Sequence, residues 1–147
     1  MLAGSDWLGA LGTGARFAMQ FNPLAAVAGA IIAAALAGYP KAPRTRWRLS
    51  ALVIVVAWLA GDGLRVLGHA RDLADGVGAG EWAALGDAAW LVLAVWAIGT
   101  LIVGYAGPAL VGARVGRSVT HGTGWLAAGG VAGALSIALS AIVGATS

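Results

Sequence analysis

Four residues of one apolar stretch are of types that do chemistry, and their spacing puts them together: Trp58, Asp62, Arg65 and His69. Separations of four, seven and eleven positions place them on one face of a helix. An ionisable group inside such a stretch is costly in lipid, so it faces protein or water and is the first place to look for function. Asp87 is the other acid within an apolar run. Two acids near one guanidinium can form a charge-compensated clasp that sets helix register. The alternatives to that clasp are a carboxyl left able to exchange a proton, as a carrier requires, and a contact with another subunit.

The elements that must hold these residues are membrane helices. The 147 residues are 60% hydrophobic and 10% charged, with a mean hydropathy of +0.86. A water-soluble fold could not hide that much apolar surface. Twenty-four glycines in an alanine-rich background suit helices that approach closely in lipid, and no stretch alternates as a transmembrane barrel strand must. Four runs, over residues 17–39, 49–67, 83–106 and 124–145, reach the roughly 20 residues that cross a hydrocarbon core. Residues 1–16 contain Asp6, Trp7 and Arg16, lack the basic opening of a signal peptide, and are expected to be a short interfacial N-terminal arm. Pro40, Pro43 and Pro108 follow runs where a helix should stop. The expectation is an all-α membrane protein with four transmembrane helices in an antiparallel bundle over residues 17–147.

Charge sets the orientation. Lys41, Arg44, Arg46 and Arg48 lie in the first connection, and Arg114 and Arg117 in the third, over residues 107–123, with no acid in either. The second connection holds Asp72, Asp75 and Glu81 against Arg71. By the positive-inside rule the basic loops are cytoplasmic and both termini outside, as expected of a multi-pass protein of the cell (inner) membrane. The net charge of +3 is then matched by anionic lipid headgroups and not by nucleic acid. Counting about 1.5 Å of rise per residue from each midpoint, Asp62, Arg65, Asp87, Gln20, Asn22 and Ser140 all fall in the outer half, some 6 to 12 Å from the centre. That agreement suggests an outward-facing polar vestibule.

Stripes of small residues recur at four-residue spacing. Ala26, Ala30, Ala34 and Gly38 form one, and Ala128, Ala132 and Ser136, with Ser140 and Gly144 beyond, form another beside the pair Gly129 and Gly133. Such stripes are contact faces for a helix of this chain, of a second copy or of another subunit. Trp47, Trp82 and Trp125 fall at run ends and suit the interface, whereas Trp58, Trp90 and Trp96 lie within runs as lipid-facing or packing residues.

Three local strings have likenesses elsewhere. Val103, Gly104 and Tyr105 resemble part of a potassium-channel filter, with Ala106 where that filter has glycine. Asp62, Gly63 and Arg65 resemble the start of the CDP-alcohol phosphotransferase signature, with the arginine two residues early. Residues 63–65 are similar to a stretch of succinate dehydrogenase membrane anchors, without the histidines that flank it there. None extends far enough to assign a family. No cysteine is present, and His69 and His121 fall at opposite faces, so haem ligation, thiolate metal sites and any other cofactor are not expected. Nor is enzymatic chemistry. The leading expectation is an accessory subunit or oligomer of a membrane complex, working by helix association. The alternative is a proton-coupled transporter or channel for a small solute or ion.

Overall fold

The computed structural model describes residues 4–39, 45–77 and 81–146. Lys41, Arg44, Pro40 and Pro43 lie outside the described residues. The dipeptide Asn22–Pro23 decides the first third of the chain. Proline lacks an N–H and disfavours helical backbone in the residue before it, and Asn22 is accordingly extended at φ −71°, ψ 110°. Helix α1, Gly4–Met19, therefore ends, and α2, Pro23–Gly38, begins anew with a bend of 76° between them. This corrects the expectation of one uninterrupted span over residues 17–39. The boundary expected at residue 16 falls inside α1, and the break comes at residues 20–22.

The next two helices each contain a widened turn. Helix α3, Thr45–Trp58, passes through a π segment, π1, at Leu59–Gly63, into α4, Leu64–Ala74. Helix α5, Glu81–Leu85, leads by a 3-10 turn at Gly86–Ala88 into α6, Ala89–Gly99, then a second π segment, π2, at Thr100–Ala106, and α7, Gly107–Ser118. Pro108 does not stop this helix, contrary to expectation. It cannot donate to the carbonyl one turn back, and the wider π2 turn before it absorbs the mismatch. The expected loop over residues 107–123 is therefore mostly α7, and only residues 119–123 connect it to α8, Gly124–Thr146.

Among the described residues there is no strand. Arg46–Ala74, Trp82–Ser118 and Gly124–Ala145 are each long and apolar enough to cross a membrane, and the bent α1–α2 pair adds a fourth candidate if it is one span. The 37 residues of Trp82–Ser118 extend about 55 Å, well beyond a hydrocarbon core of about 30 Å, so a crossing by this helix requires tilt or protruding ends.

Small residues govern the packing. Helix α2 lies against α3, α7 and α8, and α7 forms a hairpin with α8. Ala30, Ala33, Ala34, Ala109, Ala128 and Ala132 make the centre of this group. A Cβ added at Gly112 would lie 2.8 Å from that of Ala132 and collide with the Ala128 carbonyl, and one at Gly116 would lie 2.5 Å from the Ala128 Cβ. Gly129 and Gly133 instead receive Ile31 of α2. In the other half, α1 runs alongside α6 in the same direction, with Gly14 against Val92 and Val95, Ala18 against Gly99, and Phe21 against Gly104.

Substituting Gly112→Ala and Gly130→Ala separates packing from helix propensity, since alanine is favoured by about 1 kcal/mol at either position. Nothing lies within 4 Å of a Cβ at Gly130. In thermal unfolding in detergent, Gly112→Ala is expected to lose about 1–3 kcal/mol through overpacking, while Gly130→Ala holds or gains stability. Equal behaviour of the two would contradict the close α7–α8 approach.

Candidate functional site

The helix break and the two π segments converge on one carboxylate. The first N–H groups of a helix have no partner within it and must find acceptors elsewhere. At the start of α2 every donor is satisfied. Pro23 has none; Leu24 and Ala25 donate to the Asn22 side chain at 3.1 and 3.2 Å; Ala26 donates to the Asn22 carbonyl at 3.0 Å. The remaining N–H, that of Asn22, donates to Asp62 Oδ2 at 3.0 Å. Asp62 thus completes the cap of α2 from another helix, with its negative charge at the positive end of the α2 dipole.

The same oxygen accepts the Tyr105 hydroxyl from π2 at 2.7 Å. Asp62 has no solvent exposure. Its second oxygen, Oδ1, has no hydrogen-bond donor among the described residues. Arg65 Nη1 stands 3.9 Å from Oδ1, an ion-pair distance too long for a hydrogen bond, and the arginine side chain is 60% exposed. The two oxygens therefore differ: Oδ2 is fixed by two donors, and Oδ1 lies on the side from which an exposed cation reaches in.

Glycine makes the convergence possible. A Cβ at Gly61 would strike the Tyr105 hydroxyl and lie 2.7 Å from the Ala25 Cβ, and one at Gly104 would lie 2.9 Å from the Phe21 ring. A second tie joins the end of α3 to the start of π2, as Trp58 Nε1 donates to Thr100 Oγ1 at 2.9 Å. Thr100 in turn donates within its own helix, to the carbonyls of Trp96 and Ala97.

An aromatic group flanks the carboxylate. His69 stacks on Trp82 at 4.9 Å between centroids, Phe17 stacks on the same indole at 5.6 Å, and Trp96 closes the group at 5.5 Å from His69. The Arg65 guanidinium lies 5.8 Å from the Trp96 ring centre, a cation–π contact that holds it near Asp62. Trp96 is buried, whereas Trp90 is exposed.

Of the six polar residues singled out by depth, the structure brings Asp62, Asn22 and Arg65 together. Gln20 is exposed beside the break. Asp87 is also exposed, and among the described residues it pairs with no cation, so it takes no part in compensating Arg65. Ser140 donates to the Ser136 carbonyl of its own helix at 2.9 Å. The Ala128, Gly129, Ala132, Gly133 and Ser136 face is buried within the chain. Sequence reasoning missed Tyr105, Thr100, Gly61 and the break itself. The Asn-Pro pair was a readable signal for the break, as an N-cap followed by a first-turn proline.

Comparison of the chain with protein-family models, with curated proteins and with solved structures finds no match.

Three substitutions test the geometry in detergent. Tyr105→Phe keeps the ring and removes a donor to a buried carboxylate, which is expected to lower stability by about 1–3 kcal/mol. Gly61→Ala should do comparable damage by displacing the hydroxyl. Asp87→Asn should stay within about 0.5 kcal/mol of wild type, as exposed substitutions usually do. A clasp built on Asp87 demands the opposite order.

Proposed function

We propose that this chain is a proton-coupled carrier of a small solute or ion in the cell membrane, with Asp62 as the group that gains and loses the proton. In this reading the bent α1–α2 pair is the first of four spans in an up-and-down bundle, with the basic ends in the cytoplasm and the membrane lipids as surroundings. The observation that carries it is a fully buried carboxyl, with one oxygen lacking a hydrogen-bond donor among the described residues, at the break between α1 and α2. Interrupted helices whose half-helix N-termini face a charge are a recurrent way of building a transport site, and π turns cluster at functional positions.

The surroundings favour a proton over a metal cation. A cation at Oδ1 needs several oxygen ligands and would sit against the Arg65 guanidinium, 3.9 Å from that atom. A proton forms one covalent bond and needs no shell. Taken up at Oδ1 from the side of Arg65, it neutralises the carboxylate. That weakens the charge-assisted bonds from Asn22 N–H and the Tyr105 hydroxyl to Oδ2, and it removes the attraction for the α2 N-terminus. The restraint on the hinge at residues 20–22 is thereby lowered, so proton binding and the angle between α1 and α2 are linked.

Association with another subunit remains the second reading, but the α8 stripe is not a free face for it, since it packs on α2 and α7 of the same chain: Ala128 and Ala132 meet Gly112 and Gly116, and Gly133 meets Ile31.

Infrared difference spectra of the protein in liposomes, between neutral and acid pH, address the proton directly. Wild type and Asp87→Asn are expected to develop a protonated-carboxyl carbonyl band that Asp62→Asn lacks. On a solid-supported membrane, wild type should give a proton current with at least one of a panel of amino acids, sugars and organic cations, and Asp62→Asn none. A carboxylate at Asp62 that stays ionised at every pH where the protein is folded overturns the proposal.

A further inference from the structure

A second site lies at the opposite, basic end of the molecule. There the end of α2, the start of α3 and the end of α7 border a cavity of about 390 Å³, whose lining includes Tyr39, Arg46, Trp47, Gly116 and Arg117. Each arginine is laid on an aromatic ring. Arg46 sits 4.8 Å from the centre of Tyr39, and Arg117 sits 4.1 Å from the centre of Trp47. Neither forms an ion pair with an acid among the described residues. Two cations held in place by rings and lacking a carboxylate are suited to an anion with several oxygens, which guanidinium groups bind through paired N–H donors.

The cavity does not end at the polar layer. Tyr39 and Arg46 also line a groove of about 380 Å³ that continues along α2 past Ile32, Ala35 and Leu36, with Trp125 of α8 on its wall. A positively charged pocket that opens into an apolar groove has the form of an amphiphile, with a charged head and a hydrocarbon tail.

We propose that this end binds one anionic phospholipid, its phosphate between Arg46 and Arg117 and an acyl chain in the groove between α2 and α8. Charge complementarity selects the head, and the shared lining of Tyr39 and Arg46 joins head to tail. Free phosphate satisfies only the first half of the site. A zwitterionic lipid satisfies the groove but brings its own cation toward the arginines. The inference rests on the membrane reading of the chain and is independent of proton exchange at Asp62.

Native mass spectrometry and thermal unfolding of the detergent-solubilised full chain, titrated with phosphatidylglycerol, phosphatidylcholine or glycerol phosphate, test it. A saturable single adduct and a rise in melting temperature are expected with phosphatidylglycerol alone. Arg46→Gln with Arg117→Gln should bind it about tenfold more weakly or worse, as loss of charge-assisted contacts implies. Ile32→Trp, which fills the groove without touching the charge, should also weaken it, so the result does not hang on one variant. Equal stabilisation by phosphatidylcholine would reduce the site to ordinary surrounding lipid, and an equal shift with glycerol phosphate would leave only an anion pocket. Either outcome, or undiminished binding by both variants, overturns the proposal.

Discussion

The N–H groups freed by the break between α1 and α2 have no partner in their own helix, and Asn22 and Asp62 are what bond them. Removing water from around such a group makes an unpaired donor expensive, of the order of several kcal/mol. The chain accepts a break at Asn22–Pro23 because the Asn22 side chain serves two donors and the Asp62 carboxylate, reaching across from π1, serves the third. The carboxylate is tolerable there for the reciprocal reason: it is buried against the positive end of a helix and receives the Tyr105 hydroxyl as well. Each feature is unfavourable alone and acceptable in company. On the proposed reading, that interdependence is what links the charge of Asp62 to the angle between α1 and α2.

The remainder of the molecule divides around this node. On the basic side, glycine and alanine let α2, α7 and α8 meet nearly backbone to backbone, and lipid offers no competing reward for separating them. On the other side, α1 follows α6 and is joined to α4 and α5 through larger aromatic rings, Phe17, His69, Trp82 and Trp96. Close small-residue contacts resist rearrangement, whereas a break stabilised by hydrogen bonds to one titratable group does not. Motion is therefore expected at residues 20–22, with the α2–α7–α8 group as the fixed body.

The long apolar helices and the burial of Asp62 were legible because both follow from chemistry that needs no neighbour: total apolarity, and the cost of leaving a charge to lipid. Counting residues gives height along a helix and not direction around it. Asp87 was grouped with Asp62 for that reason, and it proves to be exposed and, among the described residues, without an ion-pair partner. Pro23 and Pro108 are the same residue type with opposite outcomes. The first follows an asparagine that can cap, and starts a helix; the second follows Gly107 and a π turn, and the helix runs through it. The stripe on α8 was recognisable as a contact face, but its partner on α7 was hidden because those residues were read as loop. Tyr105 drew attention only as part of a filter-like string, and nothing local marks it as the donor to an acid 43 positions away.

The central claim is that the ionised Asp62 holds the break between α1 and α2 in its bent form. Because the chain has no cysteine, spin labels can be placed cleanly at Leu8 on α1 and Ile32 on α2, both exposed. The distance between them can then be followed by pulsed electron resonance in lipid nanodiscs. The expected result is one distance at neutral pH, a different or broader distribution at acid pH, and the acid distribution at neutral pH in Asp62→Asn. A single distance shared by wild type and Asp62→Asn at both pH values would contradict it, leaving the carboxylate as a passive cap.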